Sequence, residues 1–249
     1  MHGYGSFAKY YDQLTQNISY GERAAYFDQI IKQYQEGPGL LLDLACGTGS
    51  LSLELAALGY DVIGVDGSAD MLSVALQKAA QQEQEVLFLC QDMTRLDLYG
   101  TIDVAVCALD SINHLTDPRR VQRVFSKVSL FLNPGGLFLF DVNSPYKHRQ
   151  VLGNNTFVYD EEKVFCVWQN ALEEETDTVT IRLDFFEKEE DGSYQRSGEE
   201  FRERAYSREE LDRMLDAAGF QVEAIYQGDT FDPPTATSER LVYVARKIR

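Results

Sequence analysis

Residues 41–49 read LLDLACGTG, an apolar run that ends in an acid and passes into a Gly-x-Gly turn. The run from Leu40 to Leu44 lacks polar alternation, which predicts a strand buried on both faces of a parallel sheet. Gly47 and Gly49 allow the backbone to turn tightly beneath a ligand before a helix predicted from about Ser50. A chain with this opening is expected to fold as an open α/β sheet with a ligand at the carboxyl ends of its strands.

Two ligand classes use such a turn. A dinucleotide sets its pyrophosphate on the helix N-terminus and favours a third glycine three residues on, where this chain has Ser52. Asp43 would place a carboxylate beside those phosphates. S-adenosylmethionine (SAM) has no phosphate and carries sulfonium and ammonium cations, so the acid favours SAM.

The next segments extend the pattern. After a predicted helix from Leu51 to Leu58 and a stop at Gly59, the stretch YDVIGVDGS predicts a second buried strand ending in Asp66 and Gly67. An acid about 20 residues beyond the glycine turn can accept from two ribose hydroxyls. Ser68 is the better N-cap for the helix predicted over Met71 to Ala80. A third strand, Val86 to Cys90, leads to Asp92, which could accept from an adenine amino group, and Met93, which offers a backbone N–H and an apolar face.

These residues resemble the class I SAM-dependent methyltransferases over nearly the whole chain. The resemblance implies that Asp43, Ala45, Gly47 and Gly49 wrap the methionine part of SAM, that Asp66 and Gly67 hold the ribose, and that Asp92 and Met93 hold the adenine. A fourth strand, Ile102 to Ala108, precedes LDSINHL, where Asp110 matches a residue near the methionyl group and the acceptor. FAKYYDQL at 7–14 and INHL at 112–115 look like the small-molecule N-methyltransferases of amino sugars and, more distantly, of glycine. That match puts Tyr11 and His114 against the acceptor as the catalytic pair, and Tyr20 opens a helix able to cover the SAM site. The resemblance also implies a Rossmann-like, seven-stranded, mostly parallel sheet of order 3-2-1-4-5-7-6 flanked by helices.

The chain has 249 residues, 44% of them hydrophobic, enough for one large core. No apolar run is long enough to span a bilayer and no signal-peptide core opens the chain, so a cytoplasmic location is expected. Cys46, Cys90, Cys107 and Cys166 form no C-x-x-C pair and read as reduced core thiols. The three histidines lie far apart along the chain, so no metal is expected. A net charge of −17 repels polyanions, which speaks against DNA and bulk RNA and for a small-molecule acceptor. Residues 160–204 hold 15 acids and 6 bases, a pattern read as a solvated surface. The oligomeric state stays open, a homodimer included.

The remaining layout departs from a minimal fold. Asp117 and Pro118 start a helix striped by Val121, Val124, Phe125 and Val128, ended by Asn133 to Gly136, and Leu137 to Val142 predicts strand five. Only a turn or loop fits between strands three and four. Val164 to Asn170, Thr178 to Phe186 and Tyr194 to Tyr206 have strand composition, which predicts an antiparallel β cap inserted after strand five. The expected division is a SAM-binding core of residues 1–144 and 207–249 with a substrate-side cap of 145–206. Asn143 to Tyr146 reads as the hinge into that cap, and Trp168 as sheet packing. Ser207 and Glu210 form a capping box, and strands Gln221 to Tyr226 and Leu241 to Arg246 close the sheet as a hairpin.

The expected chemistry is in-line transfer of the SAM methyl, leaving S-adenosylhomocysteine (SAH), to a nitrogen, or an oxygen, of a small acceptor. His114 would accept a proton and Tyr11 would orient the acceptor. A non-catalytic SAM-binding or partner-binding protein and an NAD(P)-dependent oxidoreductase remain the alternatives at this point.

Overall fold

The computed structural model describes residues 19–35, 39–160, 162, 164–189 and 191–249. Helix α1 (Tyr20–Tyr34) precedes β1 (Leu40–Leu44), α2 (Ser50–Ala57), β2 (Asp61–Asp66), α3 (Ala69–Gln81) and β3 (Leu87–Cys90). A single 3-10 turn, Met93–Arg95, leads to β4 (Ile102–Cys107), as the short connection required. A second 3-10 turn, Ser111–His114, then leads into α4 (Pro118–Phe131) and β5 (Leu132–Asn143). The first sheet runs β3-β2-β1-β4-β5 in parallel and finishes with an antiparallel hairpin of β10 (Phe220–Gln227) and β11 (Arg240–Lys247), β11 lying against β5. This is the predicted Rossmann-like order.

Local chemistry explains the boundaries. Asp117 accepts from the Arg119 amide at 3.0 Å, with Pro118 at the first helical position, and fixes the start of α4. Ser68 accepts from the Met71 amide at 3.3 Å and caps α3. The Ser207–Glu210 capping box is complete and opens α5 (Arg208–Ala217). Strand β5 starts earlier than predicted, because Leu132 pairs with Ile102 before Asn133 to Gly136 bulge out and Leu137 resumes the ladder at Val104.

The sheet is covered on both faces. Val121, Val124, Phe125 and Val128 of α4, with Leu211 and Leu215 of α5, pack on one side. Phe27, Ile30 and Ile31 of α1, with Leu51 and Leu55 of α2, pack on the other. Alternation along β1 assigns Leu42 and Leu44 to the first face and Leu41 to the second. Among the described residues, no helix is long and apolar enough to cross a membrane.

The chain between β5 and α5 forms a second sheet of four antiparallel strands, one more than predicted. These are β6 (Thr156–Asp160), β7 (Val164–Glu173), β8 (Thr178–Lys188) and β9 (Tyr194–Arg204). The additional strand, β6, is short and mostly exposed. Val164, Cys166, Ile181, Leu183 and Phe185 make a buried layer against Leu152. Trp168 packs edge-on against Phe157 and donates to Asn170 at 2.5 Å, a sheet-packing role. Several acidic side chains of this region form cross-strand pairs such as Arg182–Glu200 and Arg196–Asp184, whereas Glu203 is buried.

Candidate active site

The turn after β1 is built from three residues of positive φ: Ala45 at 60°, Gly47 at 55° and Gly49 at 74°. A Cβ on Gly49 would stand 2.8 Å from the Ala75 Cβ and 3.0 Å from the Phe88 ring, so this glycine lets α2 close on α3 and β3. A Cβ on Gly47 would meet nothing within 4 Å. The backbone at Gly47 instead borders a surface-open cavity whose walls include Tyr20, Asp43, Ala45, Leu109 and Ser111.

Asp43, at the end of β1, is 1% exposed. Burial pushes its carboxyl up to about 7, against the hydrogen bond that Ser52 donates at 2.5 Å and with a further push from Asp66. No cation pairs with it among the described residues. A cationic ligand in the cavity would relieve that burial, which suits SAM and not a pyrophosphate. Asp66, at the end of β2, accepts from the Gly47 amide at 2.9 Å and from the Ser68 amide at 2.8 Å. Burial raises its carboxyl, and the amides of Ser68, Gly47 and Gly67 oppose the rise. Each oxygen keeps a second acceptor position for a ligand hydroxyl. The turn, the cavity and the buried acid Asp43 fit a cationic ligand such as SAM, and Asp66 nearby offers carboxylate oxygens to ligand hydroxyls.

Asp92 caps the turn that follows β3. Its Oδ1 accepts from the Thr94 amide at 2.8 Å and the Thr94 hydroxyl at 2.7 Å, and Arg120 stands 3.4 Å from Oδ2. Burial alone would raise this carboxyl, but Thr94 and Arg120 hold it below its ordinary value. Asp92, Met93, Asp66, Gly67, Gly49 and Asp110 stand outside the cavity wall, which gathers Asp43, Ala45, Gly47 and Tyr20 from the expected set. Tyr11 and His2 lie outside the described residues.

Asp110 carries φ 51° after Leu109 at 56°, and both amides donate to Asp141, at 3.2 and 2.7 Å. Asp141 is fully buried at the end of β5. Arg240 of β11 bridges the two acids, with Nη2 on Asp110 Oδ1 at 2.6 Å and Nη1 on Asp141. Arg23 of α1 reaches Asp141 from the other side at 3.4 Å. Burial would raise Asp110, but Arg240, Lys147 and His114 more than offset it and hold the carboxyl low. Asp110 is thus already paired rather than a bare anion awaiting an ammonium group.

His114, a third exposed, packs its ring 5.2 Å from Phe201 of β9. Its Nε2 stands 3.6 Å from Oε1 of Glu203, a carboxylate that sequence reasoning missed. Burial lowers His114, which favours the neutral imidazole, against the pull of Asp110 and Asp66. His148 Nε2 lies 3.9 Å from the other Glu203 oxygen, so two histidines far apart in sequence converge on one acid. Asp110, His114 and Glu203 each bring one ligating atom within 4.8 Å of the others, a grouping able to hold a cation and invisible to chain spacing. In the structure Arg240 supplies the positive charge at Asp110.

The INHL segment joins the two sheets. The Asn113 amide donates to the Asn143 carbonyl at 3.1 Å and the Arg204 carbonyl at 2.9 Å, and its oxygen accepts from the Asn143 amide at 3.0 Å. Asn143 therefore serves as a root of the second sheet, where it also donates to Glu203 at 3.3 Å. Of the signals missed, Asp141 had one: an acid ending the buried run LFLFD at the carboxyl end of a parallel strand. Glu203 had none, since it sits in a charged stretch that reads as surface.

The thiols bind no partner covalently, and Cys90 is exposed rather than in the core. Burial, with Asp43 and Asp66 adding, pushes Cys46 well above its ordinary value, which disfavours a thiolate nucleophile in the turn.

Comparison with known proteins identifies the family. The methyltransferase domain family matches residues 41–136. A Geobacillus sp. (strain WCH70) protein carrying a provisional methyltransferase name is 35% identical over 98% of this chain and 99% of its own length. The crystal structure of a SAM-dependent methyltransferase from Clostridium acetobutylicum superposes with a TM-score of 0.90 at 33% identity, covering 98% of each chain. SAM-bound CalS10, an amino pentose methyltransferase from Micromonospora echinaspora, shares the fold at a TM-score of 0.75 and 22% identity, over 93% of each chain.

Proposed function

Because the chain belongs to the class I SAM-dependent methyltransferases, we propose that it methylates a nitrogen of a small-molecule acceptor. The observation that carries the nitrogen reading is His114, whose Nε2 stands 3.6 Å from the buried Glu203 carboxyl at the junction of the two sheets, where burial disfavours the charged ring. An amine that arrives protonated must lose a proton before its lone pair can react, and a neutral histidine is the side chain suited to take it. The fold shared with an amino pentose methyltransferase supports the same reading, and the net charge of −17 supports a small acceptor over a nucleic acid.

When bound, SAM supplies an electrophilic methyl group on a sulfonium sulfur. The chain's own part is to position and to exclude water. In this reading Asp43 and the Gly47 turn hold the cationic end, Asp66 and Gly67 the ribose, and Asp92 with Met93 the adenine. Tyr20 covers the donor cavity, and Tyr11 and His114 face the acceptor. The sheet from β6 to β9 caps the acceptor side, within a segment of residues 145–206. Unpaired thiols support action in the cytoplasm.

The test is methyl transfer from SAM, read as SAH release, across matched amines and alcohols. Turnover of amines supports the proposal. Turnover confined to alcohols overturns the nitrogen reading, and SAH binding with no turnover of any acceptor favours a non-catalytic binder.

A further inference from the structure

Resting on the amine reading above, we propose that Glu203 is the positioning residue behind His114, and that the pair forms a proton-receiving subsite for an acceptor that arrives as an ammonium ion. Strand β9 delivers Glu203 from the second sheet into the junction, where it is 4% exposed. Its Oε1 faces His114 Nε2 at 3.6 Å, and its Oε2 takes Asn143 Nδ2 at 3.3 Å. On the far side, His148 is fully buried and its Nδ1 lies 2.8 Å from the Asp177 carbonyl. A carbonyl oxygen only accepts, so Nδ1 carries the hydrogen and Nε2 is a lone pair. That lone pair points to Glu203 Oε2 at 3.9 Å and has no hydrogen-bond partner among the described residues.

The corner therefore gathers two imidazoles around one carboxyl group, close enough for a proton to be shared among them. The charged neighbours are engaged elsewhere. Arg240 is committed to Asp110 and Asp141, and Lys147 donates to Asn143 Oδ1 at 2.9 Å. Asp110 adds negative charge. Among the described residues, no Lys or Arg makes an ion pair with Glu203. Burial raises the Glu203 carboxyl, Asp110 raises it further, and Lys147 and Asn143 oppose the rise. A base raised toward neutrality is better matched to an ammonium proton than an ordinary carboxylate is.

Glu203 facing Nε2 favours the His114 tautomer with hydrogen on Nε2, which leaves Nδ1 as the accepting atom. The ammonium R–NH3+ gives one proton to Nδ1, and the imidazolium is neutralised by Glu203. The freed lone pair then forms the N–CH3 bond as the S–CH3 bond breaks. That bond's electron pair stays on sulfur as a thioether, and the sulfonium charge passes to the methylated ammonium. His114 releases its proton to solvent, which resets the pair.

The test needs no identified acceptor. The SAH-bound full chain, labelled at glutamate carboxyl carbons and histidine ring nitrogens, is titrated by NMR across neutral pH, with Glu203→Gln and His114→Asn for assignment. The expected result is one glutamate titrating far above the ordinary range, in step with the His114 ring. Glu203→Gln removes that titration and keeps His114 neutral to lower pH. Methylammonium chloride should shift the carboxyl midpoint downward by favouring its charged form, and tert-butanol should leave it in place. The wild-type arm stands whether or not either variant folds. A Glu203 that titrates as an ordinary glutamate, or that ignores methylammonium, overturns the proposal. So does stoichiometric binding of Zn2+ or Mn2+ that Glu203→Gln abolishes, since the corner would then be a metal site. With a methylated amine in hand, the acid limb of kcat/KM moves to lower pH in Glu203→Gln, a change that a purely structural role would not produce. Transfer confined to alcohols overturns the nitrogen reading itself, whereas an ordinary Glu203 titration alongside methylated amines overturns the subsite alone.

Discussion

Ser52 donates its hydroxyl to Asp43 at 2.5 Å, so the residue standing where a dinucleotide-binding turn favours its third glycine here serves the acid at the end of β1. One substitution thus separates two ligand classes twice over: it occupies the helix face a glycine would leave bare, and it satisfies one oxygen of a buried carboxylate.

That carboxylate carries a pH signature. Its folded-state value of about 7 exceeds the roughly 3.9 of an unfolded aspartate, so the native chain binds the extra proton. The contribution to stability is full at pH below about 4 and is lost as pH rises to about 7. Ligand-free Asp43→Asn should lose less stability than the wild type over that window, as read by urea midpoints at each pH. Parallel curves for the two proteins would refute the assignment.

Asp66 is expected to dominate donor affinity. Removing one or two hydrogen bonds to a charged acceptor costs about 1.5 to 3 kcal/mol each. Asp66→Ala should weaken SAH binding accordingly in calorimetry, and because Asp66 also accepts from the Gly47 and Ser68 amides, its melting temperature should fall as well. Unchanged SAH affinity would remove Asp66 from the site.

The two glycines of the turn should separate stability from binding. Gly49→Ala forces a Cβ to 2.8 Å from Ala75 at a positive φ, and overpacking of this kind costs about 1 to 3 kcal/mol. Gly47→Ala meets no neighbour and should fold with only about 1 to 2 kcal/mol of left-handed strain, yet bind SAH more weakly because its methyl group borders the cavity. Denaturation and calorimetry on both variants check the contrast, and equal loss of binding at equal stability would contradict it.

Asn113→Ala should be among the most destabilising changes near the site. It strips three hydrogen bonds in a fully buried place and leaves backbone groups of Asn143 and Arg204 unpaired, at about 1 to 3 kcal/mol for each orphaned group. Hydrogen exchange should show faster opening at the ends of β5 and β9 while β1 stays protected. Uniform exchange across both sheets would argue against a local clamp.

Most of the first sheet was legible because its signals are local. Buried strands read as apolar runs, Asp117, Ser68 and Ser207 announce helix starts, and the glycine turn has few structural uses. Of the candidate site, the sequence pointed to acids at or just beyond strand ends, and of these Asp43 lines the cavity while Asp66 and Asp92 stand outside its wall. Asp110 was found, but its partner Arg240 lies 130 residues away and no periodicity links them. Glu203 was hidden for a related reason: along β9 it alternates with exposed charge, and only the tertiary fold turns it inward to His114 and His148. Strand β6 escaped although Thr156 to Tyr159 are strand formers, because the run is only five residues long and mostly exposed.

The second sheet leaves the core just after Asn143 and returns just after Arg204, and the Asn113 side chain holds a backbone carbonyl of each. Both roots of the insertion are therefore fixed at one point by a residue that does not belong to it. Loop closure for the intervening chain is met at that point, so segments of other lengths grafted between these roots would pay little additional entropy and leave the parallel ladder untouched. A scaffold arranged this way can exchange its second sheet as a cassette while the parallel sheet stays constant.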